Sequence, residues 1–361
     1  MKGNLIQFNY DRKKVKPGIL HFSVGNFHRA HLAFYNNFLL EKPGNENWGI
    51  CGCMFFPFDE ARYKGMKAQD GMYTLTVCGR DGVDKAYCVG SIVEVLWAVE
   101  NSKAIIEKIA EKDIKIITMT ITEGGYFQNN KTGEFEINNA DIQHDLKNPS
   151  TPKTTFGFMA EGLRHRMKSG AGPVTILSCD NLQHNGSTAK RTLGAFFRAQ
   201  DPELFTWVEK NVTFPNSMVD RITPATTPAD IERLNKQNNS DDKAPVYAED
   251  YIEWVIEDNF VAGRPDWDQY ENVQFCKDVT LFENMKISLL NASHQMLSYP
   301  AFLHGYRKVD AAMADKRIEK LLRDFMNKDI TKYVPQPSPK TDLNVYKQTL
   351  IERFANKTVS D

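Results

Sequence analysis

The sequence is short of the features that mark specialised classes of protein. Its six cysteines, at positions 51, 53, 78, 88, 179 and 276, are too few for a disulfide scaffold and do not form paired C-x-x-C zinc ligands. Cys51 and Cys53 alternate along an apolar run, as reduced packing residues of a strand do. Neither sign of charge dominates. Against 45 Lys and Arg stand 46 Asp and Glu, so no overall field draws the chain to nucleic acid or to an acidic membrane surface. Nowhere do about 18 apolar residues follow one another, and MKGNLIQFNYDRKKVKPG holds no apolar run of signal-peptide length. Internal repeats and low-complexity tracts are missing too. What remains is the expectation of a cytoplasmic globular protein, its 361 residues, 41% of them apolar, sufficient for two domains with sizeable cores.

Four short runs rich in β-branched residues read as buried parallel strands: GILHFSVG (18–25), WGICGCMFF (48–56), IKIITMTIT (114–122) and PVTILSCD (173–180). Helical patterns alternate with them, at 31–41, 102–112 and 188–200. The alternation predicts a doubly wound, Rossmann-like α/β domain over residues 1–225, with its ligand at the carboxyl ends of the strands. Beyond about 225 the texture changes. In DAAMADKRIEKLLRDFM, Met313, Arg317, Leu321, Leu322 and Phe325 recur at steps of three and four, and LNVYKQTLIERFANK also reads as helix. A mainly α-helical second domain is expected over 226–361.

The strand ends carry the informative residues. A dinucleotide fold usually has G-x-G-x-x-G after its first strand, so that the backbone can approach the pyrophosphate. Here the stretch is S-V-G-N-F-H-R, and only Gly25 survives, with Ser23 and His28 at the outer glycine positions. Val24, Gly25, Asn26, Phe27, His28 and Arg29 are the candidate cofactor residues, Arg29 facing either a phosphate or solvent. Glu123 and Gly124 of TEGGY follow the third strand, where adjacent glycines suit either a ligand or a tight turn. After the fourth strand come Asp180, Asn181, His184 and Asn185. Helix capping accounts for one of them, Asn185, and leaves the others without a task. At the second strand's end, in FFPFDEAR, Asp59 suits the ribose hydroxyls of NAD, while Arg62 keeps NADP open.

One further stretch is unusual for a helix. In an α-helix Asn291 lies about 140° and His294 about 80° around the axis from Lys286. Lysine is seldom buried unpaired, so this face is either the wet side of an amphipathic helix or a convergent site.

Together GNFHRAH, TITEGGY, SCDNLQHNG, PNSMVDRITP and the spacing K-x-x-x-x-N-x-x-H within ENMKISLLNASH resemble the polyol-specific long-chain dehydrogenases, from about residue 18 onward. The second and third of these stretches look more like the mannitol and arabinitol members than the hexuronate reductases. The resemblance implies Lys286 as catalytic base, Asn181 and Asn291 beside the reacting oxygen, Asp220 and His294 on the substrate, and Glu283 passing the lysine's proton towards solvent. It also implies NAD or NADP as cofactor, no metal for this chemistry, and a small polyol or ketose as substrate. A monomer or weak homo-oligomer is expected. Ser23 departs from a glycine the family often has, and relatives continue past V-S-D with further substrate-binding Arg and Lys, so a shortened second domain is expected. Two alternatives stay open: a hexuronate reductase acting on fructuronate or tagaturonate, and a catalytically silent dinucleotide-binding protein.

The residue types suit the chemistry. An alcohol does not ionise unaided near neutral pH, so its oxidation needs a base tuned towards that pH, and lysine starts at about 10.4. Desolvation lowers a lysine, whereas Asp220 or Glu283 nearby would oppose the fall. Two carboxamides aimed at the developing alkoxide stabilise charge, each such donor being worth about 3 kcal/mol.

Overall fold

A computed structural model describes residues 3–129 and 131–359. Twelve strands are formed among them: β1 Pro17–Phe22, β2 Gly49–Met54, β3 Tyr73–Cys78, β4 Lys85–Val89, β5 Ile92–Trp97, β6 Ile116–Met119, β7 Val174–Ser178, β8 Val212–Thr213, β9 Ser217–Asp220, β10 Val246–Glu249, β11 Glu253–Glu257 and β12 Val273–Cys276. Six make a parallel sheet in the order β5-β2-β1-β6-β7-β8. Numbered along the chain, these six run 3-2-1-4-5-6, the doubly wound order, which reverses between β1 and β6. The sheet is covered on both sides. Ile116 packs into one buried cluster with Leu177 and Ile19, and Ile117 into the other with Ile176 and Leu20, which is why β6 reads as an apolar run interrupted only by Thr118. Each such side chain contributes about 1.5–3 kcal/mol through burial, so a charge at either position would break the sheet.

The four strands expected from the sequence are β1, β2, β6 and β7, and all are present. The helices Leu32–Leu39, Ala98–Ala110 and Asn185–Gln200 cover the expected stretches, each with shifted ends. The helix Thr155–Ser169 was not anticipated. It is capped by the Thr154 hydroxyl, which accepts from Gly157 N, and ends at Gly170 in the left-handed region. Its Gly162 lies against Ile109, where a Cβ would come within 2.5 Å, so two helices share one face of the sheet at close range.

The helical texture expected from residue 226 begins later. After the helix Pro228–Asn238 come β10, which pairs with β3, and β11, which pairs with β9 and β12. Strands on both sides of residue 225 therefore share sheets, and the mainly helical part starts at Thr280. The alternation of short apolar and polar pieces around YIEWVIEDNF hid these strands, because each is only four or five residues long. From Thr280 the helix Thr280–Met285, a π-helical stretch Lys286–Asn291 and the helix Ala292–Leu303 run head to tail. They pack with Val309–Met313, Lys316–Asp324 and Leu343–Phe354 around Leu289, Leu297, Leu322 and Leu350. Met313 and Leu322 are buried there as their spacing predicts, but Leu321 is 47% exposed. No helix among the described residues is long and apolar enough to cross a membrane.

Candidate active site

The strand order reverses between β1 and β6, so the loops leaving them diverge and open a cleft. It has a volume of about 480 Å³. Gly25, Asn26 and Phe27 line it from the end of β1, Thr122 and Glu123 from β6, and Asp180 and Asn181 from β7; Val219 to Ile222 close one side, and Lys286, Leu290 and Asn291 come from the helical part.

Lys286 is buried, and its Nζ donates to Asn181 Oδ1 at 2.6 Å and to the Val219 carbonyl at 2.8 Å. Burial pushes its pKa below the ordinary lysine value; Arg353 adds to the fall, and Asp220, Glu253 and Glu283 oppose it without reversing it. The π-helical stretch explains how Asn291 joins this lysine. A π turn closes its hydrogen bonds between residues five apart rather than four, so Lys286 and Asn291 come back onto nearly one face instead of the about 140° separation of an α-helix. His294 does not follow them. It lines a separate cavity of about 220 Å³ with Leu297, Ser298 and Ala301, its ring centroid 5.8 Å from that of Phe354.

Asp220 borders the cleft, but both its carboxylate oxygens accept from Arg353 at 2.9 Å, and the same guanidinium reaches Glu249 at 2.7 and 2.9 Å. Burial alone would raise Asp220; the guanidinium outweighs it and holds the carboxyl below its ordinary value. Arg353, from the helix Leu343–Phe354, is thus a resident partner for the acid expected to face substrate, and its place one turn before the end of a plain amphipathic pattern gave no signal of that contact. Glu283 is buried, accepts the His184 backbone N–H at 2.9 Å, and is raised by burial.

Asp180 has a structural task. Its carboxylate accepts from Ile121 N at 3.1 Å, Thr122 N at 2.8 Å and Tyr126 Oη at 2.6 Å, and burial raises it to about 6. These bonds hold Thr122 at φ 63 and ψ 169, a conformation that β-branched residues avoid. Asn185 donates to the Asp180 carbonyl at 3.0 Å and the Ser217 carbonyl at 2.7 Å, so it bridges backbone segments rather than capping a helix.

The candidate cofactor residues divide. Gly25 fits a close ligand: a Cβ built there would meet only the Ser23 oxygen, at 4.0 Å, and one on exposed Gly124 would meet nothing within 4 Å. Ser23 takes φ 73, the glycine-like conformation its place in the fingerprint demands. Asn26 and Phe27 also border the cleft, Asn26 donating to the Pro224 carbonyl and Thr226 Oγ1, both at 3.1 Å. Three others point inward. Val24 is fully buried over Gly52, and His28 is buried with its ring stacked 3.3 Å from that of His21. Arg29 is buried too, donating to the Ala244 carbonyl and to Asn26 Oδ1, so it braces the turn and does not face a phosphate. Nothing in the local pattern separates an inward from an outward Arg in a first helical turn. Asp59 is also committed: it accepts from Phe56 N at 3.1 Å and Arg62 Nη1 at 3.0 Å, and it does not line the cleft. Among the described residues no group of three or more His, Cys, Asp or Glu side chains is placed to hold a metal ion.

A switch-point cleft, a backbone open to close approach and a buried lysine held by an amide form an arrangement that can be compared with known proteins. The family model for the mannitol dehydrogenase Rossmann domain matches residues 17–269, and that for the mannitol dehydrogenase C-terminal domain matches 278–361. A polyol:NADP oxidoreductase of Gluconobacter oxydans is 42% identical over 354 residues, 98% of this chain and 72% of that protein. A mannitol 2-dehydrogenase of Aspergillus fumigatus is 42% identical over 354 residues, 97% of this chain and 70% of that one. Among solved structures, Pseudomonas fluorescens mannitol 2-dehydrogenase, in a ternary complex with NAD and D-mannitol, superposes with a TM-score of 0.93 at 41% identity, covering 99% of this chain and 72% of that one. A substrate-free D-sorbitol dehydrogenase gives the same TM-score and identity over 99% and 74% of the two chains. With two family models accounting between them for nearly all of the sequence from residue 17 onward, the chain belongs to the mannitol dehydrogenase family.

Proposed function

We propose that this protein is an NAD(H)-dependent polyol dehydrogenase that interconverts a polyol such as mannitol with a ketose such as fructose, using Lys286 as general base in oxidation and general acid in reduction. The observation that carries the reading is the buried Lys286 ammonium at the switch-point cleft, hydrogen-bonded to Asn181 Oδ1. Because that oxygen accepts from the lysine, the Asn181 amide N–H groups are left for the reacting oxygen, and Asn291 supplies a second carboxamide from the π-helical stretch. A nicotinamide dinucleotide bound in the cleft would supply the hydride acceptor for oxidation and the hydride donor for reduction. Gly25, Asn26, Phe27, Glu123 and Gly124 are the residues we assign to holding it. Asp59 serves the ribose only if it gives up its bond to Arg62, so NADP is also admitted. Glu283 relays the lysine's proton.

We divide the domains near residue 278, a boundary supported by the pairing of β10 and β11 with earlier strands. A cytoplasmic site of action fits six free thiols. The test is a steady-state comparison of fructose, xylulose and fructuronate as NADH-dependent substrates. A higher kcat/KM for fructose is expected, and a preference for fructuronate would replace this reading by a hexuronate reductase.

A further inference from the structure

His184 is one of the strand-end residues that capping and cleft geometry leave unused. It precedes the helix Asn185–Gln200 with φ 51 and ψ 46, a left-handed conformation that histidine adopts more readily than most residues, and its side chain caps nothing. That conformation turns its backbone and its ring towards one carboxylate. The backbone N–H lies 2.9 Å from Glu283 Oε1, and Nδ1 lies 3.4 Å from Glu283 Oε2. The two partners differ sharply in exposure: the His184 side chain is 47% exposed and that of Glu283 4%. The pair therefore runs from solvent to the interior. On the inner side Glu283 shares with Lys286 the wall of a cavity of about 70 Å³, also bordered by Asp180 and Asn181. With Lys286, Glu283, Asp180 and Asn181 on its wall, a space of that size has room for one or more water molecules.

We propose that His184 is the solvent-side end of a proton path that runs from Lys286 through water and Glu283. The proposal rests on the polyol dehydrogenase reading above. In oxidation the lysine amine takes the hydroxyl proton while the C–H pair leaves as hydride for the nicotinamide. An ammonium N–H then breaks as a water passes a proton to the Glu283 carboxylate. The carboxyl O–H breaks in turn as an N–H forms at His184 Nδ1, and the imidazolium releases its other proton to bulk water. Reduction runs the same steps in reverse. Besides Lys286, the charged groups facing Glu283 and His184 are Asp278 and Glu257, both of which favour a protonated Glu283. His184 acts through Glu283 and does not touch substrate, so it is a positioning and relay residue.

His184→Asn tests it, because asparagine also accepts the left-handed conformation, keeps the backbone N–H to Glu283 and cannot carry the proton. The full chain is mixed with NAD and D-mannitol in weak buffer containing a pH-indicator dye, and NADH formation and proton release are followed together through one turnover. In the native chain release should keep pace with NADH. In His184→Asn it should lag by about tenfold or more, and added imidazole should restore it, as expected when a lost acid–base group is replaced from solution. Release that keeps pace in the variant, or a lag that imidazole does not relieve, overturns the relay while leaving the enzyme reading intact. Failure of the native chain to form NADH overturns both.

Discussion

At the scale of single residues the proposed reading, with Lys286 as the base, turns on that lysine's proton affinity, which burial sets below that of a free lysine. Oxidation needs the neutral amine, so its rate should rise with pH through a working value below 10.5, while ketose reduction should fall through the corresponding value of its own complex. Lys286→Met should lower turnover about 10²- to 10⁴-fold and leave the NADH dissociation constant, measured calorimetrically, nearly unchanged. An oxidation limb that survives the substitution would move the base elsewhere. Linkage adds a stability signature. A lysine whose folded pKa is depressed weighs against the fold below that value, and the penalty fades as pH rises towards the unfolded 10.5, so the native chain should gain on the methionine variant in melting temperature over that range. The spacing K-x-x-x-x-N singled out Lys286 and Asn291, and SCDNLQHNG singled out Asn181, through the resemblance those stretches carry; the structure brings the three to one cleft. The fates of Arg29, His28 and Asp59 were not legible, because a motif gives the order of residues along a turn and not which of them the turn directs inward.

At the scale of elements, the loop after β6 shows how a strand end is held in a costly shape. Thr122 stands in a region that costs a non-glycine residue about 1–3 kcal/mol, against about 0.5–1 kcal/mol of extra chain entropy for glycine. Thr122→Gly should therefore raise the denaturant midpoint by an amount equivalent to about 1 kcal/mol, and the loosened Glu123 loop should raise the KM for the dinucleotide. A fall in the midpoint would mean that the side chain, and not its backbone, is what the loop needs. The alternation of strands and helices was readable because β1, β2, β6 and β7 are buried on both faces and so are predominantly apolar, with His21, Thr118, Thr175 and Ser178 as the buried polar exceptions. The π-helical stretch was not readable, since KISLLN satisfies an α-helix equally well and only packing selects the wider turn. The strands β9 to β12 are too short to establish a period.

At the scale of the whole molecule, Arg353 joins the last helix to two sheets by pairing with Asp220 on β9 and Glu249 on β10. Arg353→Met would leave two buried carboxylates without it and should cost about 3–5 kcal/mol in urea unfolding at neutral pH. The sign of the pH dependence follows from the acids. Asp220, held below its ordinary 3.8, contributes stability that is present above that value and lost as pH falls through its folded pKa. Glu249, which burial keeps above 4.5, works the opposite way over the window just above 4.5. The deficit of the variant should thus shrink in acid as the carboxyls take up protons, and a deficit independent of pH would assign it to packing alone. The same guanidinium makes the reaction centre a gauge of a distant segment. Damage or miscopying that unseats the helix Leu343–Phe354, 12 residues of the chain, would strip Asp220 of its counterion and disable the cleft without altering any residue that lines it. Lost turnover would then report the injury well before spectroscopy, which averages over every helix, registered a change.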